Sequence, residues 1–356
     1  MGKLSFYHDQ PLFGLDIGHS SLKVMQLDIA VPGTPKVLGY GFGKYQSKAI
    51  SNGMIVDYKS MANSLHELFA EHLQGSITSK RVACTVPTAH TFSRPMKLPP
   101  MNDKDITEAV HLEAEQYIPV PANNLYIDFD IARRDDQGIE LLMVASPKNI
   151  IDSHLKFLEG VGLEPVALEP TMNAAARFFS LADPSHSQPS ILIDLGSTAV
   201  DLAVFDKTMF VNSTVTGGND TMTELIAQKL DIDNHKAYEL KTKYGIGVSD
   251  QQAAIKEALQ PILDNLIREV RKIVRYYDDR IAGNQRKVAQ IITLGGGATM
   301  PGLSHFLTAE LQLPTHVLDP WHQIDFGDLP PPEDSERPMY TTVAGEALLN
   351  PRSVLK

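Results

Sequence analysis

Apolar and polar positions change rhythm along the chain, and each change marks an element. Residues 13–28, FGLDIGHSSLKVMQLD, run apolar, break at a tight D-x-G turn carrying hydroxyl residues, and resume with partial alternation, the pattern of a strand hairpin. Residues 191–206, ILIDLGSTAVDLAVFD, do the same. Between them the spacing predicts a helix over 58–74 and a strand in RVACTVP (81–87). A helix over 103–117 follows, opening with an acid-rich first turn and stopping before Pro119. Strands in LYIDFDIAR and IELLMVAS are joined by the polar turn RDDQG. The helix NIIDSHLKFLEGVG ends at glycine, and the strand EPVALE leads into a helix opening at Pro170.

After the second hairpin, Gly217 and Gly218 open a helix, and a long helix is predicted over 251–279. Its apolar positions, among them Ile255, Leu259, Leu266, Val270 and Ile273, recur every three or four residues, one face against a core. Pro261 should kink or split it. IITLGGGATMPGLSHFLTAEL (291–311) reads as strand, glycine turn and helix, and YTTVAGEALL (340–349) as a last helix returning to the first half. Residues 181–190 and 328–338 are polar and proline-bearing, a linker and an exposed loop.

Composition narrows the class. The chain has 356 residues, enough for about two domains. Its net charge of −11 disfavours general binding to nucleic acid or anionic lipid. The single cysteine, Cys84, excludes an intrachain disulfide and a cysteine metal site and fits a reducing cytoplasm; within RVACTVP its expected place is the core. No apolar run approaches the ~18–20 residues that span a bilayer. The start, MGKLSFYHDQP, has no signal-peptide core, and Phe6 spoils a myristoylation pattern. The sequon at Asn212 is then a chance match. The histidines show no zinc spacing, and there is no G-x-x-x-x-G-K-[ST] phosphate loop and no G-x-S-x-G nucleophile turn.

The chain resembles itself. Asp16 aligns with Asp194, Gly18 with Gly196, Ser20 with Thr198 and Asp28 with Asp206, each 178 residues apart, half the chain length. That offset predicts a duplicated α/β domain with a cleft between the copies. The third glycine cluster, Gly295, Gly296 and Gly297, lets a ligand approach the backbone closely.

Three such motifs in this order resemble the actin/hexokinase/heat-shock chaperone ATPase superfamily. LDIGHSSLK corresponds to the first phosphate loop, IDLGSTAVD to the second and LGGGA to the adenosine loop. Within it the chain resembles the PilM family of type IV pilus inner-membrane assembly proteins, relatives of the division protein FtsA. LEAEQYIPVP (112–121), VGLEPVALEPTMNAAARFF (161–179), TGGNDTMTELIAQKLDIDNHKAYELKTKYG (216–245), LGGGATMPGLSHFL and YTTVAGEALL carry that resemblance. It implies an actin-like ATPase fold: two RNase H-like domains with an FtsA-type 1C insertion. Subdomain 1A would comprise 1–90, 165–188 and 338–356, and 1C would be 91–164. Subdomain 2A would comprise 189–216 and 280–337, and 2B would be 217–279.

The resemblance also implies ATP and Mg²⁺ as cofactors. Asp16 and Asp194 would hold Mg²⁺, mostly through water. Gly18, His19, Ser20, Ser21 and Lys23 would meet the phosphates from one side, and Gly196, Ser197 and Thr198 from the other. Gly217, Gly218, Asn219, Lys241, Gly295, Gly296, Gly297 and Ala298 would surround the nucleoside. Glu169 would orient the attacking water, with Asp194 as the other catalytic candidate. His19 stands where the family has a small hydroxyl residue, and Tyr238 where a ribose-contacting Glu aligns. ATP binding with little or no turnover is therefore expected.

The implied partner is a PilN-like bitopic inner-membrane protein, held by its N-terminal cytoplasmic tail in a groove between 1A and 1C, with pilus motor ATPases as further partners. The protein would be cytoplasmic, peripheral to the inner membrane through that partner, with no nucleic acid and no membrane insertion of its own. The chain lacks an FtsA-type membrane-targeting helix after Gly345, LLNPRSVLK being broken by Pro351. A filament-forming FtsA-like protein is the alternative, and a small-molecule kinase a more distant one.

Overall fold

The computed structural model describes residues 10–29, 34–279 and 286–351. The reading of the N-terminal signal and lipidation patterns falls largely on 1–9, and that of the C-terminal end partly on 352–356, both outside the described residues. The first hairpin is β1 (Phe13–Ile17) and β2 (Ser21–Asp28), extended by β3 (Lys36–Lys44). A ribbon of β4 (Ile50–Ser51) and β5 (Met54–Ile55) precedes α1 (Tyr58–Glu71), followed by β6 (Leu73–Gly75) and β7 (Arg81–Val86). Asp57 starts α1 by accepting from the Ser60 amide at 3.0 Å. The helix stops three residues short of 74, where the chain turns into β6.

An insertion follows. β8 (Phe92–Leu98), β9 (Leu125–Asp135) and β10 (Gly138–Pro147) form an antiparallel sheet in the order β8-β10-β9. It packs against α2 (Asp103–Tyr117) through Ile106, Val110 and Ala114. Asn102 caps α2 by accepting from the Lys104 and Asp105 amides. Then come α3 (Lys148–Gly160), β11 (Glu164–Pro170) and α4 (Thr171–Ala182).

The second half opens with β12 (Ser190–Leu195), β13 (Ala199–Asp206) and β14 (Thr208–Thr216). Helices α5 (Asn219–Leu230), α6 (Asn234–Lys243) and α7 (Gln252–Tyr277) precede β15 (Gln290–Leu294), α8 (Leu303–Leu311), β16 (Thr315–Val317) and α9 (Thr341–Ala347). Helix α7 runs as one element with Pro261 inside it, so the predicted split does not occur. Proline removes one backbone donor there, but buried Leu259, Ile262, Leu263 and Leu266 on either side hold the helix to its core.

The duplication is visible in the topology. The two large sheets run β11-β7-β1-β2-β3-β6 and β14-β13-β12-β15-β16. In each, the first strand pairs antiparallel with the second and parallel with a later one (β7, β15), which pairs parallel with the last (β11, β16); β6 is an extra edge strand of the first sheet. Side-chain alternation then builds layers. Phe13, Leu15 and Ile17 of β1 face an outer core with α1 and α3. Ile191, Ile193 and Leu195 of β12 face the opposite outer core, with α5, α7 and α8. Between the sheets lie α4 and α9, packed on Met25, Leu27, Leu192 and Phe205 in one shared core. Among the described residues, no helix is long and apolar enough to cross a membrane.

Candidate functional site

That alternation decides where the two aspartates point. With residues 13, 15 and 17 facing outward, Asp16 lies on the inner face of its sheet. With residues 191, 193 and 195 outward, Asp194 lies on the inner face of the other. The two carboxylates therefore confront each other across the gap between the sheets. Asp16 is buried, receiving Lys23 Nζ at 2.8 Å on one oxygen and Thr85 Oγ1 at 2.9 Å on the other. Lys23 sits opposite Asp16 in the β1–β2 register. The matching position in the β12–β13 register, opposite Asp194, is Asp201.

The charge balance of the two walls thus differs. Burial pushes the Asp194 carboxyl up to about 7, with Asp201 and Asp16 adding to the effect and Lys23 opposing it. Burial also pushes Asp201 up to about 6, against a hydrogen bond from Thr214. Asp194 has no hydrogen-bond donor among the described residues, and a Cβ at Gly295 would overlap its Oδ1. A poorly solvated carboxylate without donors, beside two further carboxylates, fits a hard divalent cation with oxygen ligands.

The loops are tied together. In the first turn the Gly18 amide donates to Ser21 O at 2.9 Å, the Tyr45 hydroxyl donates to Gly18 O, and the Tyr45 amide donates to Ser20 O at 3.1 Å. His19 is exposed at its tip, with Ser20 and Ser21 half-buried beside it. In the second turn the carbonyls of Gly196, Ser197 and Thr198 accept from Asn219, Asp220 and Gly217 amides at 2.8–3.0 Å, which docks the start of α5 on the loop. Gly217 has φ +95°, and a Cβ at Gly218 would lie 2.6 Å from the Ser197 backbone, so both glycines are required by the approach.

Asn219 Nδ2 donates to Leu195 O at 2.8 Å and Gly196 O at 3.2 Å, and the same side chain lies against Gly297 of the third loop. The Gly297 amide donates to Leu195 O at 3.1 Å, the Ala298 amide donates to Gly295 O, and Ala298 is buried; Gly296 stays open. Buried Lys241 donates to Asn219 O at 2.7 Å and Thr223 Oγ1 at 2.8 Å. Burial lowers its ammonium to about 8, with Asp220 opposing. Tyr238 is exposed, its ring 5.5 Å from Lys241 Nζ.

Glu169 is placed differently. Arg177 donates to both its oxygens, at 2.6 and 2.7 Å, and also to Gly345 O at 2.8 Å. Its carboxylate is thereby held against the helices between the sheets. Four contributors escaped the sequence reading: Thr85, Tyr45, Arg177 and Glu346. Thr85 and Glu346 had a signal, each being a lone polar residue inside an apolar run. Cys84 is buried in the first core, as expected.

Two sheets of one topology, a shared core of two helices and an acidic turn from each sheet on the gap define an actin-like ATPase fold. The solved structures that are similar agree. A chain of a PilM-PilN type IV pilus biogenesis complex matches with a TM-score of 0.80 at 23% identity, over 95% of this chain and 98% of that one. The ethanolamine utilization protein EutJ from Carboxydothermus hydrogenoformans matches with a TM-score of 0.56 at 16% identity, over 96% and 91%. MreB5 of Spiroplasma citri, a structure bound to AMPPNP, matches with a TM-score of 0.56 at 14% identity, over 95% of each chain. Residues 14–349 match the family described as type IV pilus assembly protein PilM, and the chain belongs to that family.

Proposed function

We propose that this protein is an ATP-binding adaptor of the type IV pilus inner-membrane assembly platform, and that it captures the cytoplasmic N-terminal tail of a PilN-like bitopic membrane protein. The observation that carries the reading is the full-length likeness to a chain of a PilM-PilN complex, joined to the family match. The confronted Asp16 and Asp194 support a Mg-nucleotide between the sheets. Gly18, His19, Ser20, Ser21, Lys23, Gly196, Ser197 and Thr198 would take its phosphates. Gly217, Gly218, Asn219, Lys241 and 295–298 would line the nucleoside. When bound, Mg²⁺ neutralises phosphate charge beside Asp16 and Asp194.

The two-point hold of Arg177 on Glu169 ties that carboxylate to the helices between the sheets, which supports binding with weak or no hydrolysis, since a water-orienting group has to reach the reacting phosphate. In this proposal the insertion is taken as 91–164, with the other subdomain limits as given above. The insertion sheet turns one face toward the middle of the molecule: Leu142 packs on the shared core, Asp130 acts on Arg177, and β8 and β10 lie beside β14 of the second half. An extended tail would bind there by backbone pairing and apolar pockets. On this reading the protein works at the cytoplasmic side of the inner membrane, held there by its partner.

The test is capture from detergent-solubilised membranes of the source organism, with and without Mg-ATP, using the intact protein and Asp16→Asn as baits. The expected result is a single-span protein with a short cytoplasmic tail, retained with Mg-ATP and lost with the variant. Equal capture by a variant that binds no nucleotide overturns the coupling. Failure to recover such a membrane protein overturns the adaptor reading.

A further inference from the structure

Behind the gap, α4 and α9 cross between the two sheets. Their contact is so close that a Cβ at Gly345 would overlap the Ala174 carbonyl oxygen. The next residue, Glu346, is fully shielded from solvent. The cation that faces it, Arg177, is already engaged by Glu169 and Gly345 O. An ionised Glu346 would have no donor on either oxygen and would stand beside a second carboxylate, a costly arrangement in a dry interior. As the neutral acid, Glu346 brings no second negative charge to Arg177, and Glu169, held on the same guanidinium, is the carboxylate available to accept its proton.

We propose that Glu346 is a neutral acid sharing its proton with Glu169, and that this pair is a proton-linked latch between α9 and the end of β11, coupled to the charge held in the cleft. The inference rests on the nucleotide reading above. The groups facing Glu346 are Glu169 from β11, Arg177 from α4, Asp16 from β1 (itself paired with Lys23 of β2) and Cys84 from β7. Burial holds the Glu346 carboxyl well above the usual range, Glu169 and Asp16 reinforce this, and Arg177 opposes it. Loss of the proton sets two carboxylates on one guanidinium and adds a negative charge behind Asp16. A polyanion in the cleft is then repelled. By reciprocity, a bound polyanion tightens the proton.

The experiment uses the full chain with ¹³C-labelled glutamate, as wild type, Glu346→Gln and Glu346→Leu. Infrared spectra are recorded across pH, with and without Mg-ATP, and Mg-ATP affinity is measured over the same range. The wild type is expected to show the carbonyl stretch of a protonated glutamic acid near neutral pH, absent from both variants. Mg-ATP should raise the titration midpoint of that band. A midpoint rise of about one pH unit corresponds to an about tenfold fall in Mg-ATP affinity on the alkaline side. Glu346→Gln, which stays neutral, should lack that part of the fall. Lys241 titrates in every variant, so the difference belongs to Glu346. Absence of the band overturns the shared proton. A band with identical alkaline profiles in wild type and Glu346→Gln overturns the coupling. If no variant binds nucleotide while the band is present, the nucleotide reading falls and the coupling with it, and the proton pair stands.

Discussion

Lys23 and Asp201 hold the same register position in two copies of one hairpin, yet one is a cation and the other an acid. The first copy is thereby a settled ion pair and the second a pair of carboxyls raised by burial, Asp194 further by Asp201. A carboxyl with a raised folded-state pKa binds its proton more tightly folded than unfolded. Metal-free stability should therefore fall as pH climbs from the ordinary carboxylate range through about 7, the Asp194 value, and level off beyond. Chemical denaturation at several pH values should show this slope, reduced in Asp194→Asn, which should be more stable than wild type above pH ~7 without metal. Mg²⁺ should bind with proton release, because only the carboxylate form is a ligand. A stability that rises over this window in the metal-free protein would refute the assignment. Asp16 and Asp194 were legible because the repeat displayed them twice. Thr85 stood out only as a lone polar residue in an apolar run; its role depends on the parallel pairing of β7 with β1, 68 residues away, and no local pattern announces that partner.

The elements were read well where period and punctuation agreed. α2 has the predicted bounds because Asn102 caps it and Ile118–Pro119 ends it. α7 overrode its proline because burial outweighs one lost backbone bond. The glycines at the loops show the same contest between local freedom and tertiary contact. A Cβ at Gly218 meets the backbone of Gly196 and Ser197, which has nowhere to go; one at Gly297 meets the Asn219 amide, a side chain able to turn. Gly218→Ala should cost roughly 3 kcal/mol or more by thermal unfolding and abolish Mg-ATP binding. Gly297→Ala should cost about 1 kcal/mol, the worth of the displaced Asn219 hydrogen bond, and only weaken binding. Equal effects would mean that α5 is not seated on the second loop as described.

At the scale of the molecule, the layers from α1 through two sheets to α7 follow from alternation along β1 and β12, but that the two copies face each other was legible through the half-length repeat and the family resemblance. Hydrophobic pattern states which side of a strand is dry, not which other sheet dries it. The shared core contains Trp321, the chain's single tryptophan, buried against Phe178 at 4.8 Å and near Phe326 at 6.1 Å. A nucleotide that shifts the sheets relative to α4 and α9 must disturb that packing. Mg-ATP should therefore change the emission of Trp321 in the intact protein and leave Asp16→Asn unchanged. An identical response in both would separate the signal from the cleft.

The same shared core sets an order of events during synthesis. α9 covers the inner face of β1, where Val343 O, Glu346 and the Ala347 amide crowd Gly14, so residues more than 320 apart close one contact. On a ribosome the first sheet is met on that face by α4 soon after β11 is made, but the part over β1 waits for α9. Such a protein completes its first lobe last, at the pace of long-range closure. Its nascent chain is a natural client for chaperones, and a message truncated before codon 341 yields an exposed apolar sheet rather than a working half.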